Sequence, residues 1–145
     1  MKKTILLIED SKVQKLAGER MLLKAGYLVL TAGDGAEGLR LARESAPDLV
    51  LLDMLLPEIG GEEILRALKG NPRTEQIPVI IVSHLLPADI AKLKAVGAAE
   101  YFHKSRLLEG EGGEIVFLSM IENVLLEVAR RKDAGARIAV GARTH

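Results

Sequence analysis

Short apolar runs alternate with helical stripes along the chain, and this alternation predicts five strands and five helices. An apolar run of this length, bounded by turn residues, is typical of a strand that is buried on both faces. Between the runs, apolar side chains recur at helical spacing, most regularly from Phe117 to Val128. The five predicted strands are residues 5–8, 27–31, 49–53, 78–82 and 98–102.

Strict alternation of strands and helices favours an α/β fold with a parallel sheet, right-handed crossovers and helices on both faces. We therefore predict a flavodoxin-like (βα)5 doubly wound sheet with the strand order 2-1-3-4-5. In that order the first and third strands are neighbours where the order reverses, which is where ligands bind in open α/β sheets. Residues that end these two strands are the first candidates for a functional site.

The C-terminal part of the chain is less regular. Residues 106–113 contain three glycines and predict a loop before the last helix. Beyond residue 131 the pattern is mixed, and we expect the chain to fray there. The sequence therefore predicts one domain over residues 1–131 and a C-terminal tail over residues 132–145.

Length and composition narrow the class of protein. The 145 residues fit a single domain, and 20 basic and 20 acidic residues cancel, so no net charge steers the chain toward nucleic acid or an anionic membrane. The chain has no cysteine, which excludes disulfide and thiolate chemistry. We find neither the apolar core of a signal peptide nor a stretch long enough to span a membrane. We expect a cytoplasmic protein whose partners are proteins.

Acidic residues end the first and third predicted strands. Glu9 and Asp10 follow residues 5–8, and Asp53 ends the run 49–53. Because the carboxyl ends of parallel strands meet at one edge of a sheet, these carboxylates should converge and repel one another unless a cation neutralises them. Mg²⁺ suits such a site because it prefers oxygen ligands.

A metal ion beside a free carboxylate suggests phosphoryl transfer, in which Asp53 acts as the nucleophile and forms an aspartyl phosphate. The transition state spreads negative charge over the phosphoryl oxygens and is stabilised by fixed positive charge and hydrogen-bond donors. The last two strands end near suitable groups, because Ser83 offers a hydroxyl and Lys104 an ammonium. These two residues complete a candidate site for phosphoryl transfer.

The motifs together resemble those of a known family, the response-regulator receiver domains of two-component signalling. The likeness covers about residues 3–128, with the motifs in the family's order and nearly at its spacing. Each motif alone is weak evidence, whereas the combination is specific. The matching positions are the pair Glu9-Asp10, the motif Asp53-x-x-x-Pro57-x-x-x-Gly61, Ser83 after an apolar strand, and Gly97-Ala98-x-x-Tyr101-x-x-Lys104.

The resemblance implies a phosphoacceptor protein that is not an enzyme, apart from at most slow self-dephosphorylation. Asp53 would accept a phosphoryl group from a histidine kinase or a histidine phosphotransfer protein. Mg²⁺ would be bound by Asp10, Asp53 and the backbone carbonyl of Leu55, and Glu9 would act through a metal-bound water.

The resemblance also implies a switch. Lys104 would pair with the phosphoryl group, and Ser83 would turn toward it. Tyr101 would then rotate inward, since an aromatic side chain can fill the space that the hydroxyl leaves. The change, a population shift of a two-state element, would reach a downstream protein target through the face formed by the fourth helix, the fifth strand and the fifth helix.

Three positions depart from the family's pattern. Ser105 follows Lys104 where the family usually has a proline, often in cis, so either the turn differs or a strained bond is kept. His84 follows Ser83 where a small residue is common, and Leu55 is apolar. His84 and Leu55 border the expected phosphate entrance, and we expect them to restrict access to it.

Other functions stay open at this point. A receiver-like adaptor would keep the fold and act without phosphorylation, which the residues Ser105, His84 and Leu55 favour. A phosphatase of the haloacid dehalogenase type would also use an aspartyl nucleophile, but that family carries a second Asp at the position of Leu55. A hydrolytic triad of Ser83, His84 and Asp53 is disfavoured, because adjacent residues of a strand point to opposite faces.

The candidate residues also have simpler structural interpretations. Glu9 and Asp10 could begin a helix, where the helix dipole favours acids. Ser83 could be a helix cap, and Tyr101 could be a core aromatic with a solvated hydroxyl. The functional interpretation rests on finding all of these residue types together, at or near the ends of the predicted strands.

Overall fold

The computed structural model describes residues 2–56, 58–84 and 87–143, which form a five-stranded sheet with helices on both faces. Pro57, which belongs to the motif after Asp53, lies outside the described residues. The strands are β1 (Thr4–Ile8), β2 (Leu28–Ala32), β3 (Leu49–Leu52), β4 (Val79–Ser83) and β5 (Glu100–His103). The helices are α1 (Lys12–Lys24), α2 (Gly35–Ser45), α3 (Gly61–Lys69), α4 (Pro87–Val96) and α5 (Glu111–Arg143), and a 3₁₀ helix spans Lys104–Glu109.

The five strands are parallel and lie in the order β2-β1-β3-β4-β5. This order confirms the predicted doubly wound α/β fold, because β1 and β3 are neighbours in the middle of the sheet. Ile8 pairs with Leu52, the last residue of β3, so the carboxyl ends of the two strands are level. The residues that follow them, Glu9 and Asp53, therefore leave the sheet side by side.

The sheet separates two apolar layers, because successive residues of each strand point to opposite faces. Along β1, Leu6 and Ile8 face the layer that α2, α3 and α4 cover, whereas Ile5 faces the layer that α1 and α5 cover. β3 is buried throughout, which explains why its sequence is an unbroken apolar run. In the second layer the rings of Phe102 and Phe117 lie 4.7 Å apart and join β5 to α5.

α1 begins at a capping serine just beyond the end of β1. The Ser11 hydroxyl accepts a hydrogen bond from the backbone N–H of Gln14 at 3.3 Å, which satisfies a donor in the first turn. Leu22 anchors the helix in the core, whereas Val13 and Leu16 are 79% and 49% exposed. The apolar stripe that predicts α1 therefore lies partly on the protein surface.

The segment after β5 differs from the loop that the sequence predicts. The chain forms the 3₁₀ helix Lys104–Glu109, and α5 begins at Glu111, ahead of its apolar stripe. Gly110 ends the 3₁₀ helix with a φ of 76°, which glycine adopts at little cost. A Cβ atom at Gly113 would overlap the carbonyl oxygen of Arg106. The glycines that predict a loop thus serve a helix end and the close packing of two helices.

α5 also runs further than the sequence predicts. Its backbone is helical through Arg143, so residues 132–143 continue the helix where a frayed tail was expected. Four of the twelve residues from 132 to 143 are alanine, the residue that most favours helix. The division into residues 1–131 and 132–145 stays a prediction. Among the helices of the described residues, none is both long enough and apolar enough to cross a membrane.

Candidate functional site

The acidic part of the site lies where β1 and β3 end. The backbone N–H of Asp53 donates to the carbonyl of Ile8 at 3.1 Å, and that of Glu9 donates to the carbonyl of Ala32 at 2.9 Å. These bonds hold Glu9 and Asp53 at the edge of the sheet, where both are buried, whereas Asp10 is exposed. One carboxylate oxygen from each of the three acids lies within 4.8 Å of the others. The predicted convergence of the three carboxylates is therefore confirmed.

Lys104 places a positive charge among these acids. Lys104 directly follows β5, whereas Asp53 follows β3. Because β4 lies between these two strands, the Lys104 side chain crosses the end of β4 to reach Asp53. Its Nζ donates to Glu9 Oε1 at 2.7 Å and to Asp53 Oδ2 at 3.1 Å. The third donor of the ammonium goes to Gln14 Oε1 at 2.6 Å. All three N–H donors therefore have an acceptor.

These contacts change the protonation of Glu9 and Lys104. Burial and the neighbouring Asp53 carboxylate raise the pKa of Glu9 from 4.5 to about 7, although Lys104 opposes the shift. Burial by itself lowers the pKa of Lys104, but hydrogen bonds to Glu9 and Asp53 outweigh it and raise the pKa. The site therefore combines a lasting positive charge with a carboxyl group whose charge changes near neutral pH.

Asp53 is held through both of its carboxylate oxygens. Oδ2 pairs with Lys104, and Oδ1 accepts a hydrogen bond from the backbone N–H of Leu55 at 3.1 Å. The Leu55 residue is 72% exposed, so its backbone rather than its side chain supports the site. Contacts at both oxygens fix the orientation of the carboxylate relative to the ammonium.

Ser83 and Tyr101 lie on the next two strands and are joined by a hydrogen bond. Ser83 is the last residue of β4 and is buried. The Tyr101 hydroxyl donates to the backbone carbonyl of Ser83 at 2.7 Å, and its ring packs against the layer under α2, α3 and α4. Tyr101 is therefore attached to the end of β4, while its predicted rotation stays a prediction.

Two histidines extend this side of the site. The rings of His84 and His103 meet edge to face with their centroids 5.0 Å apart. Nδ1 of His103 accepts from the backbone N–H of Ser105 at 3.3 Å and lies 2.7 Å from the Ser105 hydroxyl. The peptide bond between Lys104 and Ser105 is trans. The turn after Lys104 is thus held by a histidine cap at the start of the 3₁₀ helix.

Sequence reasoning missed Gln14 and the capping role of His103. Gln14 is exposed in the first turn of α1, and no motif or period singles it out. The one available signal is Ser11, because a helix cap there sets the first turn of α1 beside the end of β1. Even that signal does not say which way the Gln14 side chain turns.

A cavity of about 270 Å³ opens beside the site, between α1 on one side and the 3₁₀ helix and the start of α5 on the other. Glu9, Gln14, Asp53 and Lys104 are part of its lining, and His84 lies on its wall. The proposed effect of His84 and Leu55 on access to Asp53 stays a prediction.

The three acids fit a hard divalent cation. Mg²⁺ prefers oxygen donors and is usually held by one or two carboxylates together with water. Glu9, Asp10 and Asp53 bring such oxygens within reach of a single ion, which would offset their mutual repulsion. The cluster could therefore bind a metal ion, in competition with Lys104 for two of its members.

Comparison with known sequences gives a consistent match. The family described as "Response regulator receiver domain" matches residues 5–109. The polar-differentiation response regulator DivK of Brucella anthropi is 32% identical over 105 residues, which cover 72% of this chain and 85% of DivK. The transcriptional regulatory protein AfsQ1 of Streptomyces coelicolor is 42% identical over 80 residues, or 55% of this chain. That match spans 34% of the length of AfsQ1.

Solved structures share the architecture. The signal receiver domain of a signal transduction histidine kinase from Syntrophus aciditrophicus superposes with a TM-score of 0.75 at 30% identity, covering 88% of this chain and 93% of that one. A CheY-like receiver domain protein from Methanospirillum hungatei superposes with a TM-score of 0.78, covering 90% and 99%. The second likeness, at 22% identity, shows the fold alone.

Proposed function

Because this chain belongs to the response regulator receiver domain family, we propose that it is a phosphoacceptor signalling domain in which Asp53 receives the phosphoryl group. The donor would be a histidine kinase or a histidine phosphotransfer protein, and the domain would act in the cytoplasm. The observation that carries the proposal is the buried Asp53 carboxylate, which Lys104 contacts at 3.1 Å within a cluster of three acids.

The proposed chemistry is a direct transfer to Asp53. A carboxylate oxygen attacks the phosphorus of a phosphohistidine, an O–P bond forms, the P–N bond breaks, and the electron pair returns to the imidazole nitrogen. The Lys104 ammonium, already bound to Asp53 Oδ2, would stabilise the negative charge on the phosphoryl oxygens. The hydrogen bond from the Leu55 N–H would keep the other carboxylate oxygen oriented.

A Mg²⁺ ion would supply charge neutralisation between the carboxylates and the incoming phosphoryl group. Asp10 and Asp53 would hold it directly, Glu9 through a water, and the backbone carbonyl of Leu55 as a further ligand. The grouping of the three carboxylates supports this assignment.

Ser83 and Tyr101 would convert phosphorylation into a change of surface. The Tyr101 hydroxyl is bound to the Ser83 carbonyl, so movement of Ser83 toward a phosphoryl group would act directly on Tyr101. The face formed by α4, β5 and α5 would then gain or lose affinity for a downstream protein target, as a population shift.

The test is incorporation of phosphate from acetyl phosphate in the presence of Mg²⁺. We expect acid-labile incorporation in the parent protein and none in Asp53→Asn. Asp133→Asn, which makes the same change at an exposed acid of α5, should incorporate phosphate as the parent does. Undiminished incorporation in Asp53→Asn would refute the assignment.

A receiver-like adaptor that acts without phosphorylation is the second candidate. His84 and Leu55 are both exposed, and their bulk beside the expected phosphate entrance favours it. It predicts the same affinity for a partner with and without a phosphodonor, which a titration would decide. The phosphatase reading is disfavoured, because receiver domains are signalling domains rather than ordinary enzymes and Leu55 stands where a second Asp is needed.

A further inference from the structure

Gln14, in the first turn of α1, contacts the Lys104 ammonium of the site. It is not among the residues of the proposed phosphorylation site. Its Oε1 lies 2.6 Å from Lys104 Nζ, and 90 residues separate the two in sequence. The other two acceptors of the ammonium, on Glu9 and Asp53, are carboxylates. Gln14 is thus the neutral member among the three acceptors.

The position of Gln14 is set by its helix. Its backbone N–H is bound to the Ser11 hydroxyl, which fixes the first turn of α1 beside the end of β1. The Lys104 backbone is fixed by the 3₁₀ helix that begins there. The two side chains therefore extend from backbones that are already fixed. Less conformational entropy is lost when their hydrogen bond forms.

The three acceptors differ in how they respond to the reaction. Under the proposed function, Glu9 and Asp53 must turn toward the metal ion or accept the phosphoryl group, and either change breaks one of the present bonds of Lys104. Gln14 carries no charge and is not among the proposed metal ligands, so its bond to the ammonium can persist throughout. An acceptor that persists can hold the ammonium beside Asp53.

We propose that Gln14 is a positioning residue for Lys104, whose side-chain carbonyl holds the ammonium beside Asp53 while Glu9 and Asp53 exchange partners. This inference rests on the proposed function for its consequence in phosphorylation. The placement of the ammonium in the metal-free protein does not depend on that function.

The first experiment observes the Lys104 ammonium directly, by ¹⁵N–¹H NMR of lysine side chains in metal-free protein, with Lys104→Arg identifying the signal. We expect a slowly exchanging Lys104 signal in the parent that is lost or broadened in Gln14→Leu. Gln14→Glu, which keeps an acceptor oxygen at the same reach, should retain it. Leucine favours helix as glutamine does, so α1 should stay intact.

The second experiment measures the rate of phosphorylation by acetyl phosphate at saturating Mg²⁺. Gln14→Leu should be slower than the parent by about 3- to 10-fold, because the ammonium spends less time beside Asp53. The matched control is Gln76→Leu, which makes the same change at the chain's other glutamine, an exposed residue outside the site. It should leave both the ammonium signal and the rate unchanged.

The outcomes separate this inference from the proposed function. An unchanged Lys104 signal in Gln14→Leu, or no protected Lys104 signal in the parent, would overturn the role of Gln14. A normal rate in Gln14→Leu would overturn it as well, provided that the parent is phosphorylated. If the parent is not phosphorylated but the signal depends on Gln14, then the proposed function fails while the placement of the ammonium by Gln14 stands.

Discussion

The two sides of the site are built from different kinds of contact. The acid–lysine group (Glu9, Asp10, Asp53 and Lys104) contains two ion pairs shielded from water, with distances of 2.7 and 3.1 Å. The serine–tyrosine pair (Ser83 and Tyr101) is joined by one neutral hydrogen bond of 2.7 Å. Both lie at the carboxyl edge of the same sheet, so their difference comes from side-chain chemistry and not from the fold.

The two kinds of contact differ in the free energy that is needed to break them. Removing one partner from a shielded ion pair leaves an uncompensated charge, at a typical cost of about 3–5 kcal/mol. Losing a neutral hydrogen bond costs about 1 kcal/mol. A modest difference in partner affinity between the two states is enough to offset that cost. We therefore expect the acid–lysine group to give up an ion pair only when a metal ion or a phosphoryl group replaces the lost partner, whereas the serine–tyrosine pair can rearrange at little cost.

The largest effect is expected at Lys104. Under the proposed function, Lys104→Ala would remove the ammonium that stabilises the phosphoryl oxygens, and phosphorylation by acetyl phosphate should slow by about 100-fold or more. Lys94→Ala removes an exposed lysine whose partner is Glu100 at 3.1 Å, and its rate should stay within about twofold of the parent. Equal rates in the two variants would mean that Lys104 contributes no more to phosphorylation than a lysine in a surface ion pair.

A smaller effect is expected from the protonation of Glu9. Its pKa is raised to about 7, so Glu9 is mostly protonated below that pH and ionised above it, and a divalent cation favours the ionised form. The affinity for Mg²⁺ should therefore rise with pH between about 6 and 8, by at most tenfold per unit below the pKa.

Glu9→Gln carries no charge at any of these pH values and is the control for that titration. Its Mg²⁺ affinity should be weaker than that of the parent at high pH and nearly independent of pH across the same range. A calorimetric titration at several pH values would measure both proteins. A parent protein whose affinity does not change with pH would contradict the raised pKa of Glu9.

The smallest effect is expected at Tyr101. Tyr101→Phe loses the hydrogen bond to the Ser83 carbonyl, which should lower the free energy of unfolding by about 1 kcal/mol. The phosphorylation rate should change by less than about twofold, because the hydroxyl donates to the Ser83 carbonyl, which is not part of the acid–lysine group. Urea unfolding would measure the first quantity and acetyl phosphate kinetics the second.

The chain's other tyrosine offers a matched control for this variant. Tyr27 lies just before β2, at the opposite edge of the sheet, so Tyr27→Phe shows what a lost phenol hydroxyl does away from the site. A drop in phosphorylation rate of tenfold or more in Tyr101→Phe, but not in Tyr27→Phe, would mean that the serine–tyrosine pair takes part in the chemistry.

The sheet and the meeting of its acids could be predicted because both follow from periodic patterns. Unbroken apolar runs define parallel strands, and residues that end neighbouring strands must lie together. Asp53, Glu9 and Lys104 each follow directly after a strand, so the order of the strands is enough to bring them together. Their roles in phosphorylation stay proposals.

Features that depend on a single side chain or a single backbone contact could not be predicted. The contact of Gln14 with Lys104 depends on the direction in which an exposed side chain turns. The start of α5 was missed because Gly113 resembles a loop residue, although it is the close approach of Arg106 that requires glycine there. The histidine cap at His103 likewise depends on a local contact with Ser105 that no period encodes.

The proposed site of the acyl phosphate is the carboxylate of Asp53. The most direct measurement is to phosphorylate the protein with acetyl phosphate and Mg²⁺, reduce the product with borohydride, and locate the resulting homoserine by peptide mass spectrometry. We predict homoserine at position 53 and at no other acidic position. If homoserine appeared at position 10 in place of 53, or were absent from a protein that has incorporated phosphate, Asp53 would not be the phosphoacceptor.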